Sequence, residues 1–120
     1  MIIEEQQLSE EDNEELFLNE MKYIEETFPN AKFSICIPIG ELDNIISKEK
    51  TIILKRQYLD DNSLWKNDFY VINCDVMSVR NVIYEMINQD IEGRGNHIFL
   101  EDIDQSSSDN DTQFNIYFGS

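Results

Sequence analysis

Candidate catalytic side chains are scarce in this 120-residue sequence, which holds one histidine, His97, and two cysteines, Cys36 and Cys74. An activated nucleophile needs a nearby base that a third group orients, whereas His97 follows Asn96 in a stretch typical of a turn. Both cysteines lie in apolar runs, which predicts two buried free thiols and leaves a disulfide or metal site as the less favoured alternative. The sequence has no phosphate-binding loop and no dinucleotide-binding glycine pattern. We therefore predict no enzymatic activity, no cofactor and no small-molecule substrate.

The acidic stretch "DQSSSDNDT" (104–112) offers oxygen ligands that a cation could use. A calcium loop of the EF-hand type requires glycine at its sixth position and glutamate at its twelfth. Counted from Asp104, those positions hold Asp109 and Asn115. The stretch is therefore predicted to be a solvated hairpin loop, and no metal site is predicted.

The net charge of −16 is concentrated at the two ends of the chain. Residues 1–28 carry −9, residues 31–94 carry −2, and residues 95–120 carry −5 with no lysine or arginine. Solubility alone needs a net charge of only about 2 to 8. Such a chain repels nucleic acid and anionic membranes, which bind through lysine and arginine. The excess of acid favours a cationic protein partner, which it would attract rapidly.

Two amphipathic helices are predicted from apolar spacing. The first runs from about residue 10 to 28, and its apolar stripe is expected to pack on the core: Phe17, Met21, Ile24 and Phe28. Ser78 is the predicted N-cap of the second helix, which Gly93 and Gly95 are expected to end. The spacing of Leu42, Ile45 and Ile46 predicts a third, short helix.

Alternating apolar residues predict five strands, in the regions 33–39, 51–58, 68–75, 97–104 and 112–118. The chain is predicted to be a single α+β domain spanning residues 1–120. Its mostly antiparallel sheet of about five strands would pack with two main helices and one short helix. No stretch approaches the roughly 20 apolar residues of a membrane span. The acidic start of the sequence lacks the features of a secretion signal, so a cytoplasmic location is expected.

Three segments resemble a known class of binding protein. They are "MSVRNVIYEMINQ" (77–89), "HIFLEDIDQ" (97–105) and the terminal "NIYFGS" (115–120). In combination they resemble small immunity proteins of bacterial contact-dependent growth inhibition and related polymorphic toxin systems. The resemblance implies a protein that binds the C-terminal domain of one cognate toxin and neutralises it. Toxins of this class are often nucleases with basic active sites, so an acidic inhibitor would mimic the charge of nucleic acid.

Two regions are predicted to contact that partner. One is the outer face of the last two strands, and the other is the polar loop 59–67, whose Trp65 is either a loop anchor or an interface anchor. The predicted partner-binding residues are Asp60, Asp61, Trp65, Phe99, Glu101, Asp102, Asp104, Asn115 and Tyr117. The first alternative function is an acidic nucleic-acid mimic that inhibits a restriction or CRISPR enzyme. The second is a small enzyme or ligand-binding domain.

Overall fold

The computed structural model describes residues 10–95, 97–107 and 110–119, and this part of the chain has an α+β fold. It contains helices α1 (Glu10–Thr27) and α2 (Val79–Asn88). The strands are β1 (Ser34–Ile35), β2 (Ile45–Ser47), β3 (Thr51–Leu59), β4 (Trp65–Asn73), β5 (Met77–Ser78), β6 (Phe99–Gln105) and β7 (Gln113–Gly119). The predicted α+β class is confirmed.

The main sheet is mixed, with five strands in the order β1-β6-β7-β3-β4. The hairpins β3–β4 and β6–β7 are antiparallel, whereas β1–β6 and β3–β7 are parallel. Strands β2 and β5 form a separate antiparallel pair. The predicted antiparallel character therefore holds only in part. Strand β7, whose Phe114 and Ile116 are buried, lies in the centre of the sheet between β6 and β3 and forms the parallel pair with β3, whereas the short β1 adds the second parallel pair at the edge beside β6.

Helix α2 covers one face of the main sheet. The predicted N-cap of α2 is confirmed, because the Ser78 side-chain oxygen accepts a hydrogen bond from the Asn81 N–H at 3.2 Å. The core between α2 and the sheet includes fully buried aliphatic side chains: Ile52, Leu54, Ile72, Val82, Ile83, Met86 and Leu100. The helix ends at Asn88 and not at a glycine. Asp90 adopts the left-handed conformation (φ 58°) that usually favours glycine.

Only the C-terminal part of α1 packs on the rest of the molecule. Phe28 is buried, and its ring lies 4.9 Å from that of Tyr84 on α2. Phe17 and Met21, which were expected to continue the same stripe into the core, are exposed. The stripe is helical, as its spacing indicates, but only its C-terminal end, at Ile24 and Phe28, reaches the core. The expectation for Phe17 and Met21 was therefore wrong.

Three local predictions differ from the structure. In place of the short helix there is a single 3₁₀ turn (Ile39–Glu41), followed by β2. Neither predicted buried thiol is fully buried: Cys74 is half-buried, and Cys36 is exposed because it lies between the buried Ile35 and Ile37 and its side chain alternates outward. Trp65 belongs to β4 and not to a loop, because the β3–β4 turn spans only residues 60–64.

Ion pairs compensate few of the acids in the described residues. Lys32 lies 3.4 Å from Asp90 and 3.5 Å from Glu92, Arg80 lies 3.1 Å from Asp43, and Arg94 lies 2.9 Å from Asp68. Exposed pairs of this kind each contribute at most about 1 kcal/mol. Most carboxylates therefore add to the repulsion of a chain with net charge −16.

We expect the melting temperature to rise with added NaCl. Salt shortens the range of repulsion between exposed charges from about 30 Å at 0.01 M to about 8 Å at 0.15 M. The measurement is thermal unfolding followed by circular dichroism at these two concentrations. A melting temperature that is flat or falls with salt would show that internal pairs already compensate the charges.

No described helix combines the length and the apolar character that crossing a bilayer requires.

Candidate functional site

The face of the main sheet opposite α2 is exposed, and we call it the open face. Its side chains alternate along each strand with those that fill the core. It is formed by Asp102 and Asp104 of β6, Asn115 and Tyr117 of β7, Ile53, Lys55, Gln57 and Leu59 of β3, and Trp65, Asn67, Phe69 and Val71 of β4. Trp65 is 64% exposed, Phe69 60%, Val71 53% and Tyr117 46%. Contiguous exposed apolar side chains of this size mark interaction surfaces in soluble proteins.

One side of the open face is acidic. Three exposed carboxylates, Glu101, Asp102 and Asp104, follow one another on β6, and we call this group the acidic strand. A bulge between Leu100 and Asp102 shifts the alternation, so that Asp102 and Asp104 lie on the same face as Glu101. Its carboxylate lies over Gly119, where a Cβ atom would collide with it. Neither β6 nor β7 contains a lysine or arginine.

The acidic strand lies beside polar and aromatic groups of β7. Asp102 is directly opposite Tyr117, and Asp104 is opposite Asn115. The Cys36 side chain, which is exposed overall, borders the same region. Partial desolvation of its thiol raises its pKa, and the charge of Glu101 raises it to a lesser degree. A tyrosine flanked by carboxylates on an exposed sheet is a surface suited to a cationic protein partner.

The opposite side of the open face is apolar and carries little net charge. Ile53 pairs with Val71, and Leu59 pairs with Trp65, across the β3–β4 ladder. This side lies three strand spacings from the acidic strand, a distance of about 14 Å. The open face therefore changes from acidic at β6 to apolar at β4.

The predicted partner-binding residues divide into two groups in the structure. The sheet brings together Phe99, Glu101, Asp102, Asp104, Asn115 and Tyr117 on β6 and β7. The other three, Asp60, Asp61 and Trp65, lie at the turn end of the β3–β4 hairpin.

Asp60 has a structural role in that turn. Its Oδ1 accepts hydrogen bonds from the backbone N–H groups of Asn62 and Leu64, both at 2.9 Å. This arrangement closes a turn in which Ser63 adopts a positive φ of 60°. The carboxylate of Asp60 is therefore engaged by the backbone, whereas Asp61 is exposed.

A mixed-charge cleft of about 810 Å³ lies next to this turn. Its lining includes Asp60, Asp61, Trp65, Arg94 and His97. His97 is exposed and its N–H donates to the Arg94 carbonyl at 2.8 Å, which agrees with the turn position predicted from the sequence. Carboxylates balance the cationic groups of the cleft, so its charge favours neither an anion nor a cation.

Arg56 is the buried charge in the described core, and its importance was not predicted. It is 3% exposed, its guanidinium lies 4.1 Å from the centre of the Phe118 ring, and its Nη1 donates to the Glu92 carbonyl. Burial lowers the pKa of this guanidinium, while the neighbouring Tyr70 acts in the opposite direction. The burial of Arg56 could have been predicted from the sequence, because Arg56 lies two residues after Leu54 and four after Ile52, on the core side of the alternating strand β3.

Arg94 completes the contacts at this end of the core. Its guanidinium lies 3.9 Å from the centre of the Tyr58 ring, and its Nη2 donates to Asp68 at 2.9 Å. The hydrogen bond to Asp68 is the main cause that raises the pKa of Arg94. Arg56 and Arg94 thus hold the loop after α2 against the sheet, which is a structural task.

Within the described ranges, no three histidine, cysteine, aspartate or glutamate side chains are grouped closely enough to hold a metal ion. Part of the acidic loop considered for calcium, Ser108 and Asp109, lies outside those ranges. No protein-family model matches the chain, and no curated protein or solved structure is significantly similar to it. The open face is the largest set of exposed apolar and acidic side chains described above, and it is the candidate interaction surface.

Proposed function

We propose that this protein is a cytoplasmic immunity protein that binds a cationic toxin domain and neutralises it. The observation that carries the proposal is the acidic strand: Glu101, Asp102 and Asp104 lie together on an exposed sheet face, with no base on β6 or β7. Tyr117 beside them supplies an aromatic contact of the kind that interfaces favour. The three sequence segments within residues 77–120 that resemble immunity proteins support the same function, and this support does not depend on the net charge.

The acidic strand suits a partner whose active site binds phosphates. Nucleases hold the nucleic-acid backbone with lysine and arginine side chains. Carboxylates placed on a rigid strand compete for those side chains and exclude the substrate. The protein then acts by occupying a site and needs no catalytic group of its own.

The test is protection of cells from the product of the gene adjacent to this protein's gene. The strain produces the C-terminal domain of that product together with this protein, and growth and co-purification are measured. We expect growth and a stable complex with wild-type protein and also with His97→Ala, because His97 lies in an exposed turn away from the acidic strand. Loss of protection in a folded His97→Ala variant would indicate chemistry at the cleft, and absence of any complex would overturn the proposal.

A further inference from the structure

Among the residues that the structure describes, no strand pairs with the outer edge of β4. Strand β4 is the last strand in the sheet order, whereas the other edge is formed by β1, which has only two residues. Proteins protect exposed edges with short strands, bulges, proline or charged side chains, and the two charges of β4, Lys66 and Asp68, have opposite signs. Strand β4 has nine residues without proline, and its nine pairs with β3 are in continuous register. Such an edge is a template for pairing with another strand.

The hydrogen bonds around β4 show which backbone groups point outward. The Cys74 N–H donates to Lys50 at 2.9 Å, and the Leu64 carbonyl accepts from the Asp60 N–H at 2.9 Å, so even-numbered residues face β3. The carbonyl of Val71 points away from β3 and accepts from the Gln89 side chain at 2.7 Å. By this alternation, Trp65, Asn67 and Phe69 present their backbone groups to the free edge.

The sequence of that edge, "WKNDF" (65–69), is self-complementary about its central residue. If two copies pair antiparallel with Asn67 opposite Asn67, each Trp65 lies opposite Phe69 of the other copy. In the same register each Lys66 lies opposite Asp68. The residues that pair through hydrogen bonds are then the odd-numbered ones, which are the residues whose backbone groups point outward. Cross-strand aromatic pairs and opposite charges both stabilise strand pairing.

The charge distribution also favours a second copy at this edge. The β3–β4 hairpin (51–73) has no net charge, because three bases balance three acids. Two chains of charge −16 repel each other least where the local charge is zero. The exposed side chains of Trp65 and Phe69 would be covered in the pair. The contact of Gln89 with Val71 is preserved, because Val71 lies beyond the paired segment.

We propose that two copies of this chain associate through β4 in this antiparallel register, forming one continuous ten-stranded sheet. The contact is isologous, so each copy contributes the same segment and the assembly closes as a dimer. It leaves the acidic strand, about 14 Å away across the sheet, free in both copies. The dimer therefore presents two acidic strands on one surface.

The experiment is sedimentation velocity of the full chain from about 1 μM to about 1 mM, a range that covers weak association. Wild-type protein is expected to shift from monomer to dimer. Lys66→Glu places two like-charged pairs in the interface and is expected to weaken the dimer at least about tenfold. The matched control is Lys48→Glu, at an exposed turn position, which changes the net charge equally and is expected to dimerise like the wild type.

A second variant tests the backbone pairing. Asn67→Pro removes an outward N–H that β3 does not use, so the fold is expected to persist while the edge is blocked. This variant is expected to remain monomeric at every concentration. Should Asn67→Pro fail to fold, the proposal is tested by the dimer affinities of Lys66→Glu and Lys48→Glu alone. A wild-type protein that stays monomeric throughout, or a dimer that Lys66→Glu weakens no more than Lys48→Glu does, overturns the proposal.

Discussion

Replacing Arg56 with alanine is expected to lower the free energy of unfolding by about 3 kcal/mol. The change removes a side chain that is 3% exposed, together with its stacking on Phe118 and its hydrogen bond to the Glu92 carbonyl. Loss of a hydrogen bond to a charged group costs about 1.5–3 kcal/mol, and the lost packing of the arginine stem adds to this. The loop after α2 would lose its main anchor on the sheet. The measurement is urea denaturation at equilibrium.

Arg80→Ala is the control for this prediction. Arg80 also contacts a carboxylate, Asp43 at 3.1 Å, but that carboxylate is 83% exposed, and the Arg80 side chain is partly buried beside Tyr23. Loss of the ion pair is expected to cost less than about 1 kcal/mol, so Arg80→Ala is expected to destabilise the protein less than Arg56→Ala does. Equal destabilisation by the two substitutions would contradict the structural role assigned to Arg56.

The sequence allowed the elements to be predicted better than their arrangement. Spacing of 3.6 residues located α1 and α2, and a hydroxyl cap located the start of α2 at Ser78. The order of strands could not be predicted, because alternation reports which residues face the core but not which strands are neighbours. Nothing in the alternation of β7 indicates that it lies between β6 and β3 and pairs in parallel with β3.

The candidate site was predictable where it depends on alternation within one hairpin. Alternation along β7 places Asn115 and Tyr117 on the face opposite the buried Phe114 and Ile116, and alternation after the buried Leu100 places Glu101 on that same outer face. Asp102 and Asp104 reach this face only because of the bulge between Leu100 and Asp102, which the alternation of the sequence does not predict. Asp60 was expected to bind a partner because of its charge, whereas its hydrogen bonds to the Asn62 and Leu64 backbone show a role in the turn.

Reversing the charges of the acidic strand is expected to have the largest effect on function. The variant is Glu101→Lys with Asp102→Lys and Asp104→Lys, and it is expected to slow association with the toxin domain about 100-fold at low salt. Electrostatic attraction accelerates association by roughly 10 to 10³-fold, and reversal replaces attraction with repulsion. All three side chains are exposed, so the fold is expected to tolerate the change.

The matched control places the same change on α1, as Glu14→Lys with Glu15→Lys and Glu26→Lys. These three acids are also exposed, and the net charge changes by the same amount. If attraction depended only on net charge, the two variants would be equally slow. Because the proposed contact is local, the control is expected to associate within about a few-fold of the wild-type rate at about 0.15 M salt, where charges more than about 8 Å from the contact are screened.

The most direct measurement is therefore the association rate constant of the toxin domain with wild type, the acidic-strand variant and the α1 control, at about 0.01 M and about 0.15 M salt. The account predicts fast, strongly salt-dependent association for wild type and the control. It predicts slow association for the acidic-strand variant, with a rate that rises with salt as the repulsion is screened. Equal rates and equal salt dependence for wild type and the acidic-strand variant would contradict the account, because Glu101, Asp102 and Asp104 would then not guide the partner.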